Sequence, residues 1–186
     1  MKLKYFLAIL LFIIILIITI NSNKENPDII SSYDYQETVK LGLEKEGLLE
    51  DNILYTEKLK NDEEIIFFTD NKSIGFAFLS KREKEWFWIR NETMYGFENN
   101  NKSNYMISVL ESETINKNKY NIFLGQIFEP NIYKITFIDD MIKSKIVNKN
   151  GNIFCLAVVE RSEINNKNFY INPKAYDKFG EIIKNK

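Results

Sequence analysis

Hydrophobic positions along this chain fall into three regimes. The first is continuous: from Tyr5 to Ile20, sixteen residues carry no charge, with Thr19 the one mildly polar break. A spanning helix needs about 20 apolar residues, with a lower limit near 17. With Leu3 counted and Lys4 snorkelling to the surface the run reaches eighteen, enough for one span. A cleavable signal needs a shorter apolar stretch and small side chains at −3 and −1. Ser22 suits −1 but Ile20 does not suit −3. The run is therefore read as an uncleaved anchor, with a cleaved signal as the alternative. Lys2, Lys4 and the α-amine precede it, whereas Lys24, Glu25 and Asp28 nearly cancel after it. The positive-inside rule then places the N-terminus in the cytoplasm and residues 21–186 outside.

The second regime has a period near four. Residues 21–32 are polar, contain Pro27 and read as a tether. Ser31-x-x-Asp34 predicts a capping box, and Tyr35, Val39 and Leu43 follow at helical spacing. Gly47 suits the position just past a helix end. One amphipathic helix is predicted over 33–46, and its apolar stripe needs a sheet to cover.

The third regime, from Asn52 onward, has a period of two. Segments 53–59 (an edge strand), 64–69, 74–79 and 85–90 read as a β-meander packed on the helix. Residues 98–104, Glu-Asn-Asn-Asn-Lys-Ser-Asn, form a polar boundary. Beyond it, 105–110, 120–128, 132–138, 143–148, 152–161, 168–171 and 175–183 read as strands. In the third of these, Tyr133, Ile135 and Phe137 share one face. Asn150-Gly151 is a strong hairpin signal. Phe154, Leu156 and Val158 oppose Cys155, Ala157 and Val159, so 152–161 is predicted to be a central strand, apolar on both faces. The expected class is α+β: a transmembrane helix, one amphipathic helix, then an antiparallel body made of a meander and a small sandwich-like sheet. The expected divisions are 1–20 anchor, 21–32 tether, 33–97 helix and meander, 98–104 loop, and 105–183 second β lobe.

Composition removes several functions. The 25 basic and 26 acidic residues give a net charge of −1, and without Lys2 and Lys4 the count is 23 against 26, or −3. No basic field exists to hold nucleic acid. Histidine is absent, which excludes imidazole-dependent nucleophile activation, His-ligated zinc and His pH switches. A single cysteine permits no internal disulfide and no CxxC site. No phosphate-binding GxxxxGK run occurs. The 28 Ile, 23 Asn and 22 Lys against 3 Arg read as the mark of an AT-rich genome, so sequons such as Asn91-Glu92-Thr93 carry little weight.

Several segments together resemble a known group. These are Phe67-Phe68-Thr69, Gly75-Phe76-Ala77-Phe78-Leu79 and Glu85-Trp86-Phe87-Trp88, then Phe123-Leu124-Gly125-Gln126-Ile127 and Glu129-Pro130-Asn131-Ile132. Asn150-Gly151 and Ala175-Tyr176-Asp177-Lys178-x-Gly180-Glu181-Ile182-Ile183 complete the pattern. It is similar to that of small exported proteins of Gram-positive, spore-forming bacteria, over residues 35–183. The resemblance implies a signal, lipobox or single span. This chain departs by having no cysteine for a lipobox, and the group supplies no catalytic residue to carry over.

Three constellations invite a chemical reading. Trp86 and Trp88 share a strand face beside Arg90 and offer a ligand platform for a glycan or peptide. The alternative is that the two indoles cover the helix stripe in the core. Asp139-Asp140, with Glu129 near in sequence, could furnish paired carboxylates for glycoside hydrolysis, but neighbours on a strand point apart, which favours a solvated loop end. Asp70–Gly75 fails as a calcium loop because Lys72 stands at a ligand position. Cys155 lies mid-strand and is expected to be inert. No cofactor is implied. The leading functional expectation is a non-enzymatic, membrane-anchored extracytoplasmic domain that binds an envelope protein or wall polymer. The alternatives are a carboxylate-dependent envelope hydrolase and an immunity-type or structural assembly protein.

Overall fold

The computed structural model describes residues 28–90, 94–98, 103–163 and 172–185. The Tyr5–Ile20 run, the first part of the tether, the sequon, residues 99–102 of the polar loop and the 168–171 segment lie outside the described residues. Among those described, one α-helix accompanies fourteen strands, and every strand pairing is antiparallel. The class is α+β and rich in β. Among the described residues no helix is long and apolar enough to cross a membrane.

The helix, α1, spans Tyr35–Lys45. Its N-cap is Asp34, whose Oδ1 accepts from Glu37 N at 2.8 Å, and Ser32 Oγ donates to the Glu37 carboxylate. The cap thus falls at Asp34, the last residue of the predicted box, rather than at Ser31. Ser31 is unavailable because it belongs to a strand. At the other end Gly47 adopts φ +72°. This lets Leu48 N reach Leu43 O at 2.9 Å and Gly47 N reach Glu44 O at 3.0 Å, the paired bonds of a Schellman stop.

Three sheets stack behind the helix. The first takes β1 (Asp28–Ser32), β2 (Ile53–Lys58), β3 (Glu63–Thr69), β4 (Ser73–Arg82), β5 (Glu85–Arg90) and β6 (Tyr95–Gly96), in the order β1-β5-β4-β3-β2 with β6 on β4. The second takes β7 (Tyr105–Glu113), β8 (Lys119–Ile127), β11 (Lys145–Lys149) and β12 (Asn152–Glu160), in the order β11-β12-β8-β7. The third is small: β9 (Lys134–Phe137), β10 (Ile142–Lys143), β13 (Lys174–Tyr176) and β14 (Ile182–Ile183), in the order β10-β9-β13-β14. β1 corrects the tether assignment. Its five residues pair with β5, from Asp28 opposite Arg90 to Ser32 opposite Trp86, so the ordered body begins before the helix.

Strand alternation explains the layering. In β3, Ile66 and Phe68 face α1, whereas Ile65 and Phe67 face the second sheet. In β12, Phe154 and Leu156 face the first sheet, whereas Cys155 and Ala157 face the third. The period of two therefore feeds three apolar interlayers: helix on first sheet, first sheet on second, second on third. The two lobes divided at 98–104 stack face to face and share the middle interlayer. β12 is an inner strand, as its doubly apolar pattern requires. Asn150 at φ +52° and Gly151 at φ +80° make the β11–β12 turn the two-residue left-handed type that matches strand twist.

The stacked sheets have two poles. At the near pole lie the β3–β4 turn and the β11–β12 turn, joined where Asn150 Nδ2 donates to Asn71 Oδ1 at 2.6 Å and Asn152 Nδ2 to Asn71 O at 3.0 Å. At the far pole lie the β2–β3, β4–β5 and β7–β8 turns. There Lys60 pairs with Glu160, and the buried carboxylate of Glu63 accepts from Ser80, Asn116 and Asn118 at 2.8–3.1 Å.

Candidate functional site

Trp86, Trp88 and Arg90 do not form an exposed platform. Trp88 is 1% exposed and lies in the interlayer under α1, stacked on Phe68 with ring centroids 5.7 Å apart. Arg90 is 6% exposed. Its Nε meets Glu46 Oε1 at 2.9 Å, Nη1 donates to Phe76 O at 3.1 Å, and the guanidinium lies 5.0 Å from the Phe68 ring centre. The pair in effect clamps the C-terminal end of α1 to β5. Trp86 is half-buried, edge-on to Tyr35 with Lys81 Nζ 5.4 Å from its ring. The same period that places two indoles on one face also turns that face toward the helix stripe, as the alternative reading required.

Asp139 and Asp140 are in a turn, not a strand. Ile138, Asp139 and Asp140 take φ +49°, +49° and +69°. Asp140 accepts from Thr136 Oγ1 and Tyr176 OH, both at 2.6 Å, and from Lys174 Nζ at 3.1 Å. These donors hold its carboxyl well below the usual carboxylate range. A general acid for glycoside hydrolysis needs the opposite shift. Asp139 lies 3.7 Å from the same lysine. Among the described residues no group of three or more His, Cys, Asp or Glu could hold a metal ion. Cys155 is fully buried, and burial pushes its thiol up to about 12, which keeps it protonated.

Two open grooves mark the poles. The far-pole groove, about 690 Å³, is lined by Tyr33, Arg82, Glu83, Lys84, Glu85 and Phe87. Its floor is the tight β4–β5 turn, where Glu83 sits at φ +57°. Its rim is Tyr33, 74% exposed in the link between β1 and α1. The hydrogen bond with Glu85, with that carboxylate's charge behind it, raises the Tyr33 phenol. Two cations, two carboxylates and a standing aromatic ring can grip a polar chain by stacking and charge-assisted hydrogen bonds.

The near-pole groove is about 590 Å³, and its lining includes Asn104, Glu129, Tyr133, Asp177, Phe179 and Lys184. The Glu129–Asn131 turn and the β13–β14 turn, distant in sequence, border it together. Glu129 Oε1 accepts from Asn131 N at 3.3 Å and Asn131 Nδ2 at 2.9 Å. Asp177 Oδ1 accepts from Phe179 N at 2.8 Å and Glu181 N at 2.9 Å. Both carboxylates are thus engaged in building turns. Tyr133 departs from expectation. It precedes β9, donates its backbone N–H to Tyr176 O at 2.8 Å and leaves its ring in solvent, while Ile135 and Phe137 are buried.

No protein-family model, no curated protein and no solved structure matches this chain.

The groove residues were missed by pattern reasoning because they sit in turns, where no period applies. The usable signal was an aromatic in a polar connection: Tyr33 after Ser31-Ser32, and Phe179 inside Asp177–Gly180.

Proposed function

We propose that this chain is a single-span, membrane-anchored protein of the cell envelope whose extracytoplasmic body is a non-enzymatic binding module. Tyr5–Ile20 spans the bilayer with the N-terminus in the cytoplasm, and the far-pole groove around Tyr33 receives a partner, either an envelope protein or a wall polymer. The observation that carries this reading is the far-pole groove itself, an open cleft in which the exposed Tyr33 ring stands beside two cations and two carboxylates of the β4–β5 turn. Such a lining suits recognition of a polar chain by stacking and charge-assisted hydrogen bonds.

A photo-crosslinking amino acid at Glu83, in cells that carry the protein, tests the proposal. The expected outcome is one abundant protein or polymer adduct that is absent when the crosslinker stands at Lys40 on the exposed face of α1. Identical adduct patterns from both positions would sink the assignment of the groove. A cysteine at Asn101 tests the topology; it should label from outside with an impermeant maleimide.

A further inference from the structure

Two features of the stacked sheets leave room for one more strand. The first is a step. The main order of the first sheet has five strands and that of the second has four. They face each other in sequence: Lys145 Nζ of β11 lies 5.5 Å from the centre of the Tyr55 ring of β2, and the Tyr120 ring of β8 lies 5.7 Å from that of Phe78 in β4. Leu110 of β7 and Phe87 of β5 are both half-buried at the margin of the shared core, so β7 falls below β5 and β1 overhangs it. Ile29 shows where the cover ends. It pairs with Ile89 and shares its face, yet Ile89 is 3% exposed and Ile29 50%. Ser31 and Tyr33, next in that alternation, are exposed as well.

The second feature is the outer edge of β7, beside that overhang. Thr114 N donates to Asn118 O and Phe128 N to Asn104 O, at the two ends of the β7–β8 pair. Antiparallel alternation then turns the backbone groups of Tyr105, Ile107, Val109 and Glu111 away from β8. Asn185 shows that this edge takes a partner. Tyr105 N donates to Asn185 Oδ1 and Asn185 Nδ2 donates to Tyr105 O, both at 3.4 Å, as a neighbouring strand would. Beyond that rung no strand among the described residues pairs with β7 on this side. Natural edges are blunted by lysine, proline or a bulge. β2 has a bulge and ends in Lys58, and β11 carries Lys145 and Lys149. β7 instead pairs with β8 through nine residues without a shift, and Tyr105 to Leu110 holds neither charge nor proline.

We infer that the slot between the β7 edge and the underside of β1 takes an extended polypeptide segment, added to β7 as a further strand. Main-chain hydrogen bonds to Ile107, Val109 and Glu111 hold it, and every second side chain covers Ile29, Phe87 and Leu110. The inference rests on the reading of the Tyr33 groove as a binding site, and it names the partner as polypeptide rather than wall polymer. Tyr33 and Phe87 line the groove and stand on the faces that border the slot, so a strand leaving the slot at the far pole enters the groove. A second copy does not fit, because β7 against β7 drives each overhanging β1 into the other molecule's first sheet. A glycan lacks the regular alternation of N–H and C=O that matches a strand edge.

The test presents the full chain in detergent with a pool of synthetic octapeptides randomised at every position. Enriched peptides should carry apolar residues at alternate positions. The best of them is remade with N-methyl groups on one or the other set of alternate residues. One set should weaken binding about tenfold, the worth of one or two backbone hydrogen bonds, and the other should change it little. Val109→Pro removes one outward N–H and should weaken binding by a similar factor; proline is tolerated where the N–H faces away from the sheet. The N-methyl series does not depend on that variant folding. No enrichment over detergent alone, enrichment without alternation, or equal loss from both methylated sets overturns the inference. Dimerisation abolished by Val109→Pro also overturns it, because the edge then belongs to a second copy. Tyr33→Ala reads the groove separately. Binding weakened by Val109→Pro but not by Tyr33→Ala keeps the strand and defeats the groove. Binding weakened by Tyr33→Ala alone keeps the groove and defeats the strand.

Discussion

Gly42 lies flat against the indole of Trp88: a Cβ built on the glycine would stand 2.6 Å from Trp88 Cε2. A glycine inside a helix ordinarily gives up about 1 kcal/mol relative to alanine. Here it permits the closest approach of α1 to the first sheet. Gly42→Ala should therefore destabilise, against its helix propensity, by about 1–3 kcal/mol, the usual range for overpacking a core. Urea unfolding of the full chain in detergent measures it. A midpoint equal to or above that of the unaltered protein would show that the indole has room to retreat.

Arg90 and Glu46 form the second fastening of that helix. Removing one member of a buried pair leaves the other charge without compensation, which typically costs about 3–5 kcal/mol. Glu46 keeps some exposure, so the lower end applies. Arg90→Met should lower the unfolding midpoint by more than Glu46→Gln, because Arg90 also serves Phe76 O and the Phe68 ring. Equal losses would mean that the ion pair is the whole of the arginine's role.

At the far pole, Glu63 is a carboxylate buried between two sheets and served by Ser80, Asn116 and Asn118. Asn118→Ala withdraws its shortest contact and should cost about 1–3 kcal/mol, the penalty for under-satisfying a buried polar group. In a double-mutant cycle, Glu63→Gln and Asn118→Ala should be strongly non-additive. Additive effects would show that the two side chains act independently.

Asp140 sets an acid-sensitive contact. Hydrogen bonds from Thr136, Tyr176 and Lys174 hold its folded-state pKa below the ordinary value. A depressed carboxyl stabilises the fold above its unfolded pKa, about 3.9, and the contribution is lost as pH falls below that value. Asp140→Asn should therefore lower stability at neutral pH, and its stability curve should converge on that of the unaltered protein toward pH ~2, below that carboxylate pKa. Parallel curves throughout would remove Asp140 from the acid response.

Cys155 gives a native probe of opening. Its thiol is buried and raised to about 12, so a maleimide should react only as the second and third sheets part. Labelling should then follow the unfolding rate and accelerate with urea. Prompt modification under native conditions would mean that this interlayer breathes locally.

Much of the fold was written in local pattern. The Tyr35, Val39, Leu43 stripe ended by Gly47 gave the helix, because a helix end needs a left-handed residue and side chains repeat every 3.6 positions. The period of two gave the strands, and the doubly apolar 152–161 segment gave an inner one. Asn150-Gly151 gave its turn, because both positions must take positive φ. β1 was not legible: five residues, Asp-Ile-Ile-Ser-Ser, become a strand only because the edge of β5 is there to pair with. The functional fates of Trp86, Trp88 and Arg90 were not legible either. Alternation says that two indoles share a face, but which face is covered depends on where α1 lands. The same limit applies to Tyr133 and Phe179, which stand in solvent because turns release side chains from any period. Sequence by itself determined the helix, most of the strands, their alternation and the chemistry that histidine's absence removes. Tertiary structure alone decided which apolar faces meet, how the lobes stack into four layers, and which turns border each groove, because those are contacts between residues far apart in the chain.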